Sequence, residues 1–336
     1  LSGPAAGVAG ALMYEKLTDG IFFEVGGTST DISCVKDGNV AVKYAEVGGH
    51  KTYLTSLDVR TVGIGGGSMI EIHNVKDVGP RSAHIADLDY EVFAEDENII
   101  EPVLKAVHPI STDPEYAYIE CSNGKKYALT LSGAANIAGY VPEDSYAKGN
   151  IEAAKKAWAP LAENMGMSVK ETAEEVLRLS ALKNGKVVES FIKDYGLDKN
   201  MLTFVGGGGG AATVVPHLGK KFGCVFKIAK NAAVISPIGV ALAMVRDMVE
   251  RTIMNPTEAD ILAVRREAER KAIASGANPE TIEVKVEIDT QQQKVRAIAI
   301  GATELRTKEL TGARKTDEEI NSLVAENLKV SENQVK

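Results

Sequence analysis

Three glycine-rich stretches hold the residues whose types and spacing allow chemistry. In Phe22-Phe23-Glu24-Val25-Gly26-Gly27-Thr28-Ser29-Thr30-Asp31-Ile32-Ser33, two apolar runs flank a Gly-Gly-Thr-Ser-Thr turn. A Walker A loop needs a following helix and a Gly-Lys-Ser/Thr ending, and neither is present. The run reads instead as a hairpin whose tip presents backbone N–H groups. Gly26 and Gly27 permit close approach and positive φ, and Thr28, Ser29 and Thr30 add hydroxyl donors. Such a concavity suits phosphate oxygens. Glu24 and Asp31 flank the tip, where carboxylates would hold Mg²⁺ through water or orient a nucleophilic water. The competing reading is a glycine-bulged hairpin with polar residues at its turn.

Gly63-Ile64-Gly65-Gly66-Gly67-Ser68 follows one expected strand, and Gly206–Gly210 follows another and opens a helix. A glycine loop between strand and helix lets a ligand lie against backbone at the positive helix N-terminus. Without side chains, Gly206, Gly207, Gly208 and Gly209 would meet a flat base or sugar through their peptides. Tight strand–helix packing is the alternative, but it does not readily explain three such loops at strand ends. Arg81 and Ser82 are within reach of a phosphate or substrate role. The five histidines (His50, His73, His84, His108, His217) show no HxH or HxxxH spacing and read as ordinary surface or core residues.

These loops must be positioned by an α/β framework. Ile21–Val25, Asp31–Val35, Val40–Val47, Val59–Ile64, Met201–Val205 and Val225–Ile228 are expected strands. Helices are expected over Pro4–Leu17, Ala211–Leu218 and Pro237–Val249, with a helical segment at 150–196. The stretch at about 80–125 reads as an irregular insertion whose acidic residues (Asp87, Asp89, Glu91, Glu95, Asp96, Glu97) form a solvated face. Beyond Arg251 the composition shifts. A charged helix from Thr257, capped with Asp260, a strand pair (Ile282–Ile288, Val295–Ile300) and a polar helix at Thr316–Leu328 suggest a small α+β unit at 251–336.

The 336 residues carry 44% hydrophobic and 25% charged side chains, an ordinary globular composition with room for about two domains. A formal net charge of −8 speaks against nucleic acid or an anionic membrane as partner. No apolar run approaches a membrane span. The three cysteines (Cys34, Cys121, Cys224) lack metal-ligand or CxxC spacing, which points to a reducing cytoplasmic setting. The chain opens on Leu1 rather than Met, as though it begins inside a longer polypeptide.

Read in order, Ser2–Gly7, Glu24–Asp31, Thr61–Ser68, Val78–Ala83, Val205–Gly210 with His217 and Leu218, and Ser236–Gly239 resemble successive blocks of the hydantoinase/5-oxoprolinase A family. The resemblance runs to about Asp247. It implies an actin-like, ribonuclease-H-like ATPase lobe over 1–250, a mixed sheet flanked by helices. ATP would bind there with Mg²⁺: Gly26, Gly27, Thr28 and Ser29 on the β/γ-phosphates, Asp31 near the metal, and Gly206–Gly209 along adenosine. It also implies an N-terminal lobe and a B-type subunit as partners, a cyclic amide as substrate, and activation of a lactam by phosphorylation. A homo-oligomer is left open. Alternatives are an A-type subunit of a ketone carboxylase, or an ATP-driven chaperone or reactivating factor of the same superfold. Two positions depart from the family: Glu24 stands where Asp is usual, and Gly133 where an acid is expected.

Overall fold

A computed structural model describes residues 6–8, 10–11, 17–47, 50–72, 77–241, 244–289, 292–302 and 322, with the backbone alone for 44–47, 50–55 and 241. The sequence block at residues 2–5 and the expected helix at Thr316–Leu328 lie outside the described residues, Ser322 apart. The chain divides into two compact units, Leu1–Ala243 and Met244–Lys336.

The first unit is built on a six-stranded mixed sheet. Strand β1 (Gly20–Val25) turns back into β2 (Thr30–Lys36), placing Glu24 opposite Asp31 and Val25 opposite Thr30. The short β3 (Asn39–Val40) and β6 (Val59–Val62) pair antiparallel with β2. On the other side β13 (Thr203–Gly207) and β14 (Val225–Ile228) run parallel to β1. β1 is apolar almost throughout because both faces are covered. Ile21, Phe23 and Val25 enter one core, and Phe22 enters another with Val8, Ala11, Val205 and Ile235. Strands β4 (Val42–Val47) and β5 (His50–Leu57) form a separate pair.

Helices α1 (Leu131–Ile137), α2 (Ile151–Met165), α3 (Val169–Tyr195) and α4 (Ala211–Phe222) supply the larger core. Local chemistry sets their ends. Asn150 caps α2, Ser168 and Glu171 form a capping box on α3, and Gly166 and Gly196 close the two helices in left-handed conformation. On the opposite face, helical residues 6–8 and 10–11 cross α5 (Ile235–Ala241). The crossing depends on glycine: a Cβ on Gly10 would lie 2.6 Å from the Ile235 carbonyl oxygen, and one on Gly239 would overlap the Ala6 carbonyl.

Asp58 is only 2% exposed and ties the sheet to α3. It accepts from Arg60 (2.7 Å) and Tyr195 (3.0 Å) and pairs with Lys43 (2.9 Å), while Arg60 reaches Asp194 and lies over the Phe191 ring. Burial works against its charge, but these donors outweigh it and hold the carboxyl below its usual range.

The segment expected as an irregular insertion is more ordered than its composition indicates. Strands β9 (Asp89–Tyr90), β10 (Val103–Val107), β11 (Tyr116–Glu120) and β12 (Lys126–Ala128) make a four-stranded sheet. A further pair, β7 (Ser68–Ile70) and β8 (Val78–Ser82), precedes it. Asp87, Asp89, Glu95 and Glu97 are exposed, but Glu91 is fully buried. A 3₁₀ turn at Glu91–Phe93 directly after β9 carries that side chain inward.

In the second unit β15 (Met244–Thr252), β16 (Glu283–Asp289) and β17 (Lys294–Ala302) form an antiparallel sheet with β17 central. Helix α6 (Glu258–Ala274) opens on a Thr257–Asp260 capping box and packs Val264, Ala268 and Ala272 against Val249, Val295, Ala297 and Ala299. The helix expected over Pro237–Val249 is therefore corrected. It ends at Ala241, and Met244–Thr252 is a strand, because a nine-residue ladder with β17 overrides the local helical spacing.

Candidate functional site

The three glycine stretches meet at the end of the central sheet. The tip after β1 is closed by the Gly26 N–H on the Ser29 carbonyl (2.9 Å). Gly66 N–H donates to the Gly26 carbonyl (2.9 Å), Gly67 N–H to that of Gly27 (2.8 Å), and Gly210 N–H to that of Val25 (2.9 Å). Ser132 N–H, in the first turn of α1, donates to the Gly66 carbonyl (2.8 Å). Side chains would prevent this approach: a Cβ on Gly65 would lie 2.6 Å from the Gly26 oxygen, and one on Gly210 2.9 Å from it.

Two adjoining cavities open over this junction. The larger, about 610 Å³, runs along Gly208, Gly209 and the first residues of α4 to Ile228–Ala233. Its volume lies within the range of small-molecule sites, roughly 300–1,000 Å³. The smaller, about 230 Å³, is bounded by the peptides of Gly26, Gly27, Gly66 and Gly210 and by Tyr90, Phe93 and Ser132. Gly209 and Tyr146, whose ring is 78% exposed, border both cavities. Helix α4 starts at Gly210 with no side-chain cap among the described residues; backbone carbonyls of Val25, Gly208 and Gly210 take the Gly210, Ala211 and Thr213 N–H groups, and this helix end borders the larger cavity.

The sequence-predicted residues divide into two groups. Gly26, Gly27, Gly208 and Gly209 line the cavities. Thr28 and Ser29 are half-buried at the tip, with the Thr28 hydroxyl 3.2 Å from that of buried Ser82. Thr30 is fully buried and donates its hydroxyl to the Ile64 carbonyl (2.6 Å), so it clamps two loops together. Gly206 and Gly207 end β13 under Val215, Ile228, Ile235 and Phe22, where they serve strand–helix packing. Arg81 is held by both oxygens of Asp113 at 2.7 Å, its charge already matched. His217 sits outside both cavities, against the Tyr140 ring and Glu174.

Glu24 and Asp31 are cross-strand neighbours beside the tip, and neither borders the two cavities. The Asp31 carboxylate accepts from the Thr61 hydroxyl and that of Glu24 from Ser236. The second Glu24 oxygen is buried and has no hydrogen-bond partner among the described residues. Burial, only partly offset by Ser236 and reinforced by the Asp31 charge, raises the Glu24 pKa. No group of three or more acidic, His or Cys side chains that could hold a metal occurs among the described residues.

Sequence reasoning missed Tyr90, Glu91, Phe93, Ser132 and Tyr146. Glu91 accepts from Trp158 Nε1 (2.7 Å), the Thr130 hydroxyl (2.9 Å) and the Thr130 N–H (3.1 Å), and so holds the start of α1 against the cleft. Burial pushes its carboxyl up to about 7, against the pull of those donors. One signal was available. Gly133 stands where the family resemblance implies an acid, and a Cβ there would overlap the Glu91 carboxylate. Glu91 thus occupies the space that a side chain at position 133 would take, and no local pattern reveals it.

A profile of the hydantoinase/oxoprolinase family matches residues 1–249. The chain belongs to the hydantoinase/oxoprolinase family. Its fold resembles that of a chain of acetone carboxylase, a protein of ATP-dependent acetone carboxylation, with a TM-score of 0.58 at 15% identity over 94% of this chain. It also resembles an ATP-dependent caprolactamase from Pseudomonas jessenii, with a TM-score of 0.51 at 18% identity over 94% of this chain. This chain covers 51% of each of those chains. An uncharacterized protein of Schizosaccharomyces pombe is 38% identical over 89 residues, 25% of this chain and 7% of that protein. Among the described residues no helix is long and apolar enough to cross a membrane.

Proposed function

We propose that the first unit is the nucleotide-binding part of an ATP-dependent enzyme that activates a lactam or other cyclic amide by phosphorylation, so that ring opening becomes downhill. The observation that carries this reading is the convergence of the Gly26–Gly27 tip, the Gly65–Gly67 loop and the uncapped start of α4 on one pair of connected cavities. Nucleoside fits the larger cavity, along Gly208 and Gly209. Phosphates fit the smaller one, where the glycines leave room without side-chain clash and, among the described residues, the Gly27 N–H and the Ser132 hydroxyl are not engaged. The chain thus contributes positioning and electrostatics rather than a covalent nucleophile.

The buried oxygen of Glu24 that has no partner among the described residues, opposite Asp31, fits a divalent cation such as Mg²⁺, which commonly takes one or two carboxylates and completes its shell with water and phosphate. Bound there, the cation would supply charge neutralisation for phosphoryl transfer. The half-length match to the two enzymes fits a further, N-terminal lobe, and the family membership supports a B-type subunit as partner. The acetone carboxylase likeness supports ketone carboxylation as a second reading.

Calorimetric titration of the full chain with Mg²⁺ and ATP tests the site. Gly27→Val is expected to weaken ATP binding more than tenfold, because the new side chain starts 3.1 Å from the Tyr90 hydroxyl and fills the smaller cavity. Equal heats for wild type and variant would remove the phosphate assignment. Stimulation of ATP hydrolysis by lactams, with none by simple ketones, selects the amidohydrolase reading over the carboxylase.

A further inference from the structure

Tyr90 holds a phenolic hydroxyl where the glycine loops converge, and nothing in the described chain occupies it. The hydroxyl is near both loops: a Cβ on Gly27 would lie 3.1 Å from it, and one on Gly67 would overlap it. Gly67 is itself buried, so its missing side chain makes room for the phenol rather than for solvent. The Tyr90 hydroxyl has no hydrogen-bond partner among the described residues, although the ring is half-buried and stacked on Phe93 at 5.6 Å.

The ring is also held in place. Tyr90 ends β9, and the next residue is Glu91, anchored by Trp158 and by the backbone and hydroxyl of Thr130. The β9 partner, β12, runs into Leu129 and Thr130, so Tyr90 and the start of α1 share one support. Burial, and next the charge of Glu91, keep the phenol above its usual range, so at neutral pH it is a donor. Tyr90 borders the smaller cavity and not the larger one, whereas Tyr146 and Gly209 border both. Tyr90 therefore belongs to the part of the cleft read as the phosphate end and not to the part read as the nucleoside end.

We propose that Tyr90 is a ligand-binding residue whose hydroxyl donates a hydrogen bond to the terminal phosphate of a bound nucleoside triphosphate. This rests on the reading of the cleft as a nucleotide site. It adds a residue that recognises the end of the phosphate chain, one that distinguishes a triphosphate from a diphosphate. The N–H groups of Gly26, Gly66 and Gly210 are spent on the Ser29, Gly26 and Val25 carbonyls, so the side-chain hydroxyls of Tyr90, Ser132 and Tyr146 are the main donors that border the smaller cavity, and of the two phenols Tyr90 is the one confined to it. A hydrogen bond to a charged group is worth enough for an effect of roughly tenfold or more.

The test is calorimetric binding of ATP and of ADP, each with Mg²⁺, to the full chain and to Tyr90→Phe. The substitution removes one oxygen and keeps the ring stack on Phe93, and a thermal melt confirms that the fold is kept. The expected result is a loss of about tenfold in ATP affinity with ADP affinity unchanged, which lowers the ATP-over-ADP preference by the same factor. An unchanged preference in Tyr90→Phe, whether both affinities hold or both fall together, overturns the role of Tyr90 and leaves the nucleotide site standing. Binding of neither nucleotide to the wild type overturns the site and the Tyr90 role with it.

Discussion

Replacing Glu91 with glutamine is expected to make the protein more stable at pH 7.5 and to leave it nearly unchanged at pH 4.5. Glu91 is fully buried with three donors and no cation, and its carboxyl is pushed from the ordinary 4.5 up to about 7. A carboxyl whose folded pKa is raised stabilises the fold in its protonated form. That stability is complete below 4.5 and is lost as pH rises through about 7. The shift corresponds to about 3 kcal/mol. Glutamine reproduces the protonated acid: its oxygen accepts from Trp158 Nε1 and the Thr130 N–H, and its amide donates to the Thr130 hydroxyl. Urea unfolding of wild type and Glu91→Gln across this range should give curves that diverge above pH 5. Parallel curves would show that Glu91 is ionised in the fold at no cost. Glu91→Ala should lose about 3 kcal/mol even at acid pH, because buried Trp158 and Thr130 donors are left without an acceptor.

Asp58 gives the opposite pH dependence. Its pKa is held below 3.8, so the stability it contributes is present above that value and disappears as pH falls through the folded pKa. Asp58→Ala removes the acceptor shared by Arg60, Tyr195 and Lys43. Arg60 keeps Asp194 and its place over Phe191, but Tyr195 loses its buried partner. Breaking a buried ionic cluster by deleting one member costs about 3 kcal/mol, and Lys43, half-exposed, adds little to that. The expected measurement is a lower denaturant midpoint at pH 7 with an unchanged slope. As pH falls below 3.8 and through the lowered folded pKa, the gap to wild type should close. A midpoint within error of wild type at pH 7 would make the cluster a surface arrangement without energetic weight.

The two carboxylates show how far local pattern reaches. Both were plain acidic letters in the sequence, and Glu91 read as one of six charges on a solvated face. A 3₁₀ turn and a helix capped by Thr130 carry it inside. The hairpin at Gly26–Thr30 was readable because its determinants are local: two apolar runs, two glycines and a short polar turn. The boundary of the helix at Pro237 was not, because its end was decided by the pairing of Met244–Thr252 with a strand some fifty residues later.

By itself the sequence determined the composition class, the hairpin tip, the glycine loops and the family blocks that span most of the first unit. These follow from short-range chemistry: turn residues, apolar alternation, and a helix cap such as Thr257 with Asp260. Only the tertiary structure decided which candidates line the cleft. Gly208 and Gly209 border it while Gly206 and Gly207 pack a strand, and Thr30 fastens a loop while Tyr90 brings to two others a hydroxyl with no partner among the described residues. The physical reason is that a glycine or hydroxyl takes its role from what stands opposite it. Here those partners come from strands, turns and helices that are distant along the chain and adjacent only after the sheet and helices have packed.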